Sequence, residues 1–339
     1  MTLSCILFRM LSRHVAFALA LIGLLAPQVA AAQAVPPSPA PSPAPSSSAA
    51  GESPTGGAFD MSKLTPEQQA ALQQYIIKTS QNPVGNIAVI PLQSNLNFGL
   101  GPYARYQYNL NVQPVVPFML SKDMSLIART IVPLVSQPPL FATPQQCANP
   151  GCAWTFGVGD IQEQLFFAPK TKPGELIWGA GPIFQVPSAS PDTLGTGKYS
   201  VGPAAVALVM PGPWVMGMLA TQLWSFAGKA NRPGVNSGLF QPFVNYNIKG
   251  GWALTTAPII TVNYNAPGNQ KWAIPIGGGG SKTFKLGDQP MQLAVLYYTF
   301  VQKPVTSPQT NLRISFSLLF PIKRGFDLKE ALQEAGVTP

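Results

Sequence analysis

From residue 87 onward the chain falls into twelve short segments in which apolar and polar residues alternate. They lie near 87–98, 107–118, 124–135, 156–168, 175–187, 199–210, 214–227, 238–248, 252–264, 271–286, 291–302 and 310–320. A period of two is the mark of a strand that presents different chemistry on its two faces. The connections alternate as well. Tight ones at 121–123, 170–174, 211–213, 249–251 and 287–290 take turns with longer ones at 99–106, 136–155, 188–198, 228–237, 265–270 and 303–309. Roughly ten-residue strands joined by turns at one end and loops at the other predict an all-β fold. The expected form is a transmembrane antiparallel up-and-down β-barrel of about 12 strands, preceded by a short N-terminal helix. Short turns then face the periplasm and longer loops the outside.

Side-chain parity supports a lipid face and a lumen. In the second segment Leu110, Val112, Pro114, Val116 and Phe118 oppose Asn109, Asn111 and Gln113. In the eighth, Phe240, Val244, Tyr246 and Ile248 oppose Gln241, Asn245 and Asn247. In the ninth, Trp252, Leu254, Pro258, Ile260, Val262 and Tyr264 oppose Ala253, Thr255, Thr261 and Asn263, with the aromatics at the two ends where interface girdles belong. In the twelfth, Leu312, Ile314, Phe316, Leu318 and Phe320 oppose Asn311, Arg313, Ser315 and Ser317. Two places break the rule: Glu163 shares the parity of Ile161 and Leu165, and 214–227 is apolar on both faces. Pro91, Pro114, Pro133, Pro182 and Pro203 fall inside strands, where each removes a ladder donor, so bulges or strand ends are expected there.

Composition points the same way. Only 10% of residues are charged, against about a quarter in soluble domains. No segment after the leader has the ~18 consecutive apolar residues of a membrane helix. A soluble β-sandwich shares the alternation, but its outward faces would carry the charge that these strands lack. Residues 1–34 read as a signal peptide, with Arg9 and Arg13 before an apolar stretch and small residues at 30–34. Removing it leaves nineteen basic and twelve acidic side chains, a net charge of +7. That excess suits contact with outer-membrane lipids and lipopolysaccharide; no basic cluster with interleaved aromatics suggests nucleic acid. The only histidine, His14, leaves with the leader, which removes Ser-His catalysis and His ligation. No catalytic constellation, metal site or cofactor is expected, and the chain reads as a non-enzyme. Gly277–Gly280 followed by Lys282 lacks the spacing of a phosphate loop and reads as a strand kink or bulge.

The remaining organisation is a Pro/Ala/Ser-rich linker over 35–62, a short periplasmic or plug helix within 63–81, the barrel over 82–321 and a periplasmic tail over 322–339. The helix, about 66–79, has Thr65 as cap and Pro66 at its first position. Cys147 and Cys152 share one loop and form the candidate disulfide of an exported chain.

Several motifs resemble a known bacterial family. They include Asn82-Pro83-Val84-Gly85-Asn86, Gln113-Pro114-Val115-Val116-Pro117-Phe118, Arg129-Thr130-Ile131-Val132-Pro133, Phe156-Gly157-Val158-Gly159-Asp160-Ile161, Trp178-Gly179-Ala180-Gly181-Pro182 and Leu223-Trp224-Ser225-Phe226-Ala227-Gly228. Together they resemble the outer-membrane family labelled "neuromedin U", related to the channel group named for the MetA pathway of phenol degradation. The resemblance spans about 82–321 and implies an outer-membrane barrel with a transport role and no established substrate.

The lumen-lining candidates are Gln93, Asn95, Asn111, Gln113, Arg129, Asp160, Asn245, Asn263 and Arg313. The arginines with Asp160 set an ion preference or form a bracing pair; the amides line a wet path or close it with hydrogen bonds. The functional expectation is a passive channel for an unidentified small solute, aromatic or hydrophobic ones included. The alternative is a structural or surface-binding barrel that transports nothing.

Overall fold

The computed structural model describes residues 81–321, apart from 86, 149–152, 172–173 and 288, together with Thr65 and Ile77. The leader, the linker, most of the 66–79 helix, Cys152 and the tail lie outside the described residues.

Fifteen β segments form one antiparallel sheet: β1 (Ile87–Leu100), β2 (Arg105–Val112), β3 (Val115–Met119), β4 (Met124–Gln137), β5 (Thr155–Val158), β6 (Ile161–Pro169), β7 (Ile177–Val186), β8 (Lys198–Val209), β9 (Trp214–Gly228), β10 (Asn236–Ile248), β11 (Trp252–Thr256), β12 (Ile260–Asn263), β13 (Trp272–Leu286), β14 (Gln289–Gln302) and β15 (Thr310–Pro321). Three pairs, β2/β3, β5/β6 and β11/β12, are single wall strands interrupted by a break, so the wall has twelve strands. Each pairs with its neighbours in sequence, and β1 pairs with β15 from Ile87↔Pro321 to Phe98↔Thr310. The sheet therefore closes on itself and has no free edge, which is what lets a sheet cross a bilayer.

The sequence segments and the wall strands coincide to within a few residues, with two kinds of correction. The segments at 107–118, 156–168 and 252–264 are broken rather than continuous. The first long connection is only a four-residue turn, Gly101–Ala104, because β1 and β2 run on to Leu100 and Arg105. Proline explains the breaks. Pro114 lies in the first, and Pro258 in the third. Pro133 faces the second, where its carbonyl accepts from the Gly159 N–H at 2.8 Å. Pro182 and Pro203 sit opposite one another in an unbroken β7/β8 register, each where its strand's pairing with the other neighbour, β6 or β9, lapses. Having no N–H, proline fits where the ladder is already interrupted.

Exposure alternates along the strands. Trp178, Phe184, Tyr199, Met218, Trp224, Tyr246, Trp252, Leu254, Leu293, Val295 and Tyr297 point outward and are exposed. Aromatics gather at both rims: Trp214 against Tyr246 at 4.7 Å at the end with the short turns, and Tyr106 against Trp154 at 4.6 Å at the other. Such belts mark the two membrane interfaces. Glu163 does lie on the outer face, near the middle of the β5/β6 wall strand and opposite Thr130, whose hydroxyl donates to it at 2.6 Å.

Candidate functional site

The opposite parity is buried and forms the lumen, whose two sides differ. On β4 and β6–β10 an apolar cluster dominates the inward face, with Gln164, Gln185, Ser200, Thr221 and Asn245 as buried polar residues among it. Ile127, Phe166, Ile183, Leu208, Val215 and Leu219 are at most 3% exposed and belong to one cluster. This explains why 214–227 is apolar on both faces: one meets lipid, while Val215, Leu219 and Leu223 join the inner cluster. On β15, β1, β2 and β4 amides, serines and arginines occupy most inward positions, beside apolar ones such as Ile127 and Leu319.

Register brings these polar residues into rows. Asn95 pairs with Asn109 on one side and Arg313 on the other. Gln93 pairs with Asn111 and Ser315. Arg313 donates from Nε to Asn95 Oδ1 at 3.2 Å and from Nη1 to the Ala257 carbonyl at 2.9 Å, and its guanidinium lies 4.9 Å from the Tyr298 ring centre. Arg129 donates to Gln113 Oε1 at 2.6 Å and to Gln164 Oε1 at 3.2 Å. Neither arginine meets a carboxylate among the described residues.

Asp160 stands apart from both arginines. It occupies the β5/β6 break, and its carboxylate accepts from the Thr196 N–H at 2.6 Å, the Thr196 hydroxyl at 2.7 Å, the Ala189 N–H at 3.3 Å and Gln185 Nε2 at 3.4 Å. It ties down the loop before β8. The same loop is gripped by Arg232, which donates to the Asp192 carbonyl at 3.0 Å and to the Thr196 carbonyl at 3.3 Å. The Lys229–Asp192 ion pair completes the clasp and holds the Asp192 carboxyl below its usual range.

Asn245 is buried beside the apolar cluster, paired with Val215. Asn263 lies exposed at the loop end of β12 and caps Asn265 through a 3.1 Å bond. Asn111 makes no side-chain hydrogen bond among the described residues, and its Oδ1 is buried, as are those of Asn109 and Asn311. Cys147 is disulfide-bonded; Cys152, its expected partner, lies outside the described residues.

Three features escaped the sequence reading. Arg105 is a lumen residue at the loop end of β2, where it donates to the Ala142 carbonyl at 2.7 Å and to Cys147 Sγ at 3.0 Å. Its parity with Gln107 and Asn109 is the signal for it, one that the loop-like Gly99–Tyr106 stretch masks in the sequence. Tyr298, 1% exposed, turns inward and its hydroxyl accepts from the Ala257 N–H at 2.9 Å. With Arg313 on the Ala257 carbonyl, the break between β11 and β12 is thus held toward the lumen from both sides. The Tyr297-Tyr298 pair offered a signal, since alternation obliges one of two neighbours to face in.

The third feature is the stretch before β1. Gln81 and Asn247 exchange amide hydrogen bonds at 2.8 and 3.2 Å. Val84 is 6% exposed and belongs to the apolar cluster, its Cγ1 3.2 Å from where a Cβ on Gly179 would sit. β7 and β10 lie across the barrel from β1, so residues 81–85 cross the mouth at the short-turn end. Ile77 is helical and half-buried, near the Lys249–Gly251 turn.

A closed, twelve-stranded wall with an apolar outer face and aromatic belts is a transmembrane β-barrel of the bacterial outer-membrane type. Comparison with known proteins agrees at the level of fold. An outer membrane channel from Pseudomonas putida F1 superimposes with a TM-score of 0.52 and 14% identity, over 69% of this chain and 94% of its own. The NanC porin and the CymD monoaromatic hydrocarbon channel overlap more loosely. Their TM-scores are 0.43 and 0.39, both at 10% identity, over 69% and 78% of this chain and 100% and 99% of theirs. No family model and no curated protein matches the sequence.

Proposed function

We propose that the protein is a passive channel for small solutes, with aromatic and hydrophobic ones among those that fit. The observation that carries this reading is the two-sided lumen. Amides, serines and arginines gather on β15, β1, β2 and β4, while an apolar cluster dominates the inward face of β6–β10. A lining that mixes apolar surface with a few placed polar groups is the usual make-up of a small-molecule site. A solute with a ring or chain on one side and a polar group on the other matches both surfaces. The fold shared with an outer membrane channel, and the resemblance of residues 82–321 to the family named for phenol degradation, support the reading. The outer face and net positive charge suit lipid and lipopolysaccharide as surroundings. Planar bilayers containing the full chain should show discrete conductance steps, and proteoliposomes should admit phenol faster than empty vesicles. Silence in both assays would sink the proposal.

A second reading, a barrel that transports nothing, draws on residues 81–85 at the mouth. Val84→Asp places a charge against Phe166 and Ala168 and should release that stretch. If conductance stays absent after this change, the non-transporting reading gains.

A further inference from the structure

We propose that the lumen takes up small organic anions, specifically carboxylates carrying an apolar ring or chain; this names the solute class of the channel proposed above and rests on that reading. The β segments contain six basic side chains, Arg105, Arg129, Lys198, Lys282, Lys285 and Arg313, and one carboxylate, Glu163. Glu163 is on the outer face. Asp160, in the β5/β6 break, accepts only from neutral donors of Gln185, Ala189 and Thr196, so its charge stays on that part of the wall. The polar side, on β15, β1, β2 and β4, carries arginines with no carboxylate among the described residues of those strands.

These cations stand at successive depths on the polar side. Arg105 begins β2. Arg313 lies level with Asn109, through Asn95. Arg129 lies level with Val115, at the start of β3. Measured along this wall strand, the steps are about 13 and 20 Å at the usual rise per residue. The partners of Arg129 and Arg313 are neutral oxygens, and the second Nη of Arg313 has no hydrogen-bond partner among the described residues. Neutral acceptors orient a guanidinium and leave its charge uncancelled. In a lumen of low dielectric that charge attracts anions far more strongly than in water. A carboxylate is the planar acceptor that a guanidinium binds best. The apolar cluster on the facing side gives a place to the ring or chain that such a molecule carries.

Two isosteric changes isolate the charge from the geometry. Asn95→Asp and Gln113→Glu place a carboxylate on the atoms that Arg313 and Arg129 already contact. The probes are benzoate and benzylamine, titrated into the full chain in detergent, and the chloride-to-potassium permeability ratio in bilayers. Benzoate should bind and benzylamine should not. In the double variant benzoate affinity should fall about tenfold or more, as loss of charge-assisted bonds requires, and any anion preference should fall toward unity. Heat-modifiable gel mobility verifies that the variant is folded, and Arg313→Lys should keep the anion preference. Equal binding of the two probes, absence of benzoate binding, or a double variant that behaves like the parent overturns the inference. Conductance without ion preference or benzoate binding removes this inference and leaves the channel standing. Benzoate binding that the double variant loses, without conductance in any form, supports the anion site and removes the channel.

Discussion

One side of the lumen presents Phe166, Ile183, Leu208, Val215 and Leu219; the other presents Asn95, Gln113, Asn311 and Arg313, with Arg129 half-buried among them. Both are buried, both belong to the same closed sheet, and both alternate with a lipid-facing residue at each step. They are held by different forces. The apolar side coheres by close packing, so the loss of one side chain leaves a void that neighbours cannot fill. The polar side coheres by directional bonds between amides, guanidinium groups and backbone carbonyls, and its weak points are atoms left without a partner. A wall that looks uniform in its hydrogen-bond ladder thus has one side suited to stability and one suited to contact with a solute.

The contrast can be broken at its strongest point by charging the apolar side. Ile183→Asp puts a carboxylate inside the apolar cluster and should cost about 4 kcal/mol, within the range for an unpaired buried polar group. Urea unfolding in detergent or lipid reads this directly, and a small shift would show that water already reaches Ile183. Phe166→Ala should cost about 3–4 kcal/mol, the usual penalty for a large buried ring, in the same assay.

On the polar side the effects should be smaller. Arg313→Leu strips the Ala257 carbonyl and Asn95 of a donor and should cost about 2 kcal/mol. Tyr298→Phe removes only the acceptor of the Ala257 N–H and should cost about 1 kcal/mol. If the two together cost no more than the larger alone, the break between β11 and β12 moves as a unit once one anchor is lost. The smallest effect belongs outside the wall. The Asp192 carboxyl is held below its usual range by Lys229, so the ion pair is complete above the ordinary carboxylate range. It is lost only as pH falls through the lowered value in the folded protein. Asp192 is exposed and solvent screens the pair. Asp192→Asn should leave the unfolding midpoint unchanged at pH 7, while raising protease cleavage of the loop before β8.

Much of the wall was legible beforehand for a physical reason. Outward residues answer to lipid and inward ones do not, so the alternation is written residue by residue along β2, β10, β11 and β15. Interior prolines flagged the ladder gaps, since a residue without an N–H is tolerated only where no partner waits for one. The lining was harder to read. Parity placed Asn95, Gln113, Arg129 and Arg313 on inner positions, yet parity says nothing about which strand stands opposite. It could not show that Asp160 serves a loop, that Tyr298 and Arg313 converge on Ala257, or that Val84 reaches Gly179.

The sequence by itself determined the closed antiparallel barrel, its strand count and the orientation of nearly every strand face, because these follow from local alternation and turn length. Only the tertiary structure decided which inner residues meet: the apolar cluster on one side, the cationic amide wall on the other and the stretch across the mouth. Those contacts join residues up to 218 positions apart, as Asn95 and Arg313 are, and they depend on how the strands close into a ring, which no local pattern encodes.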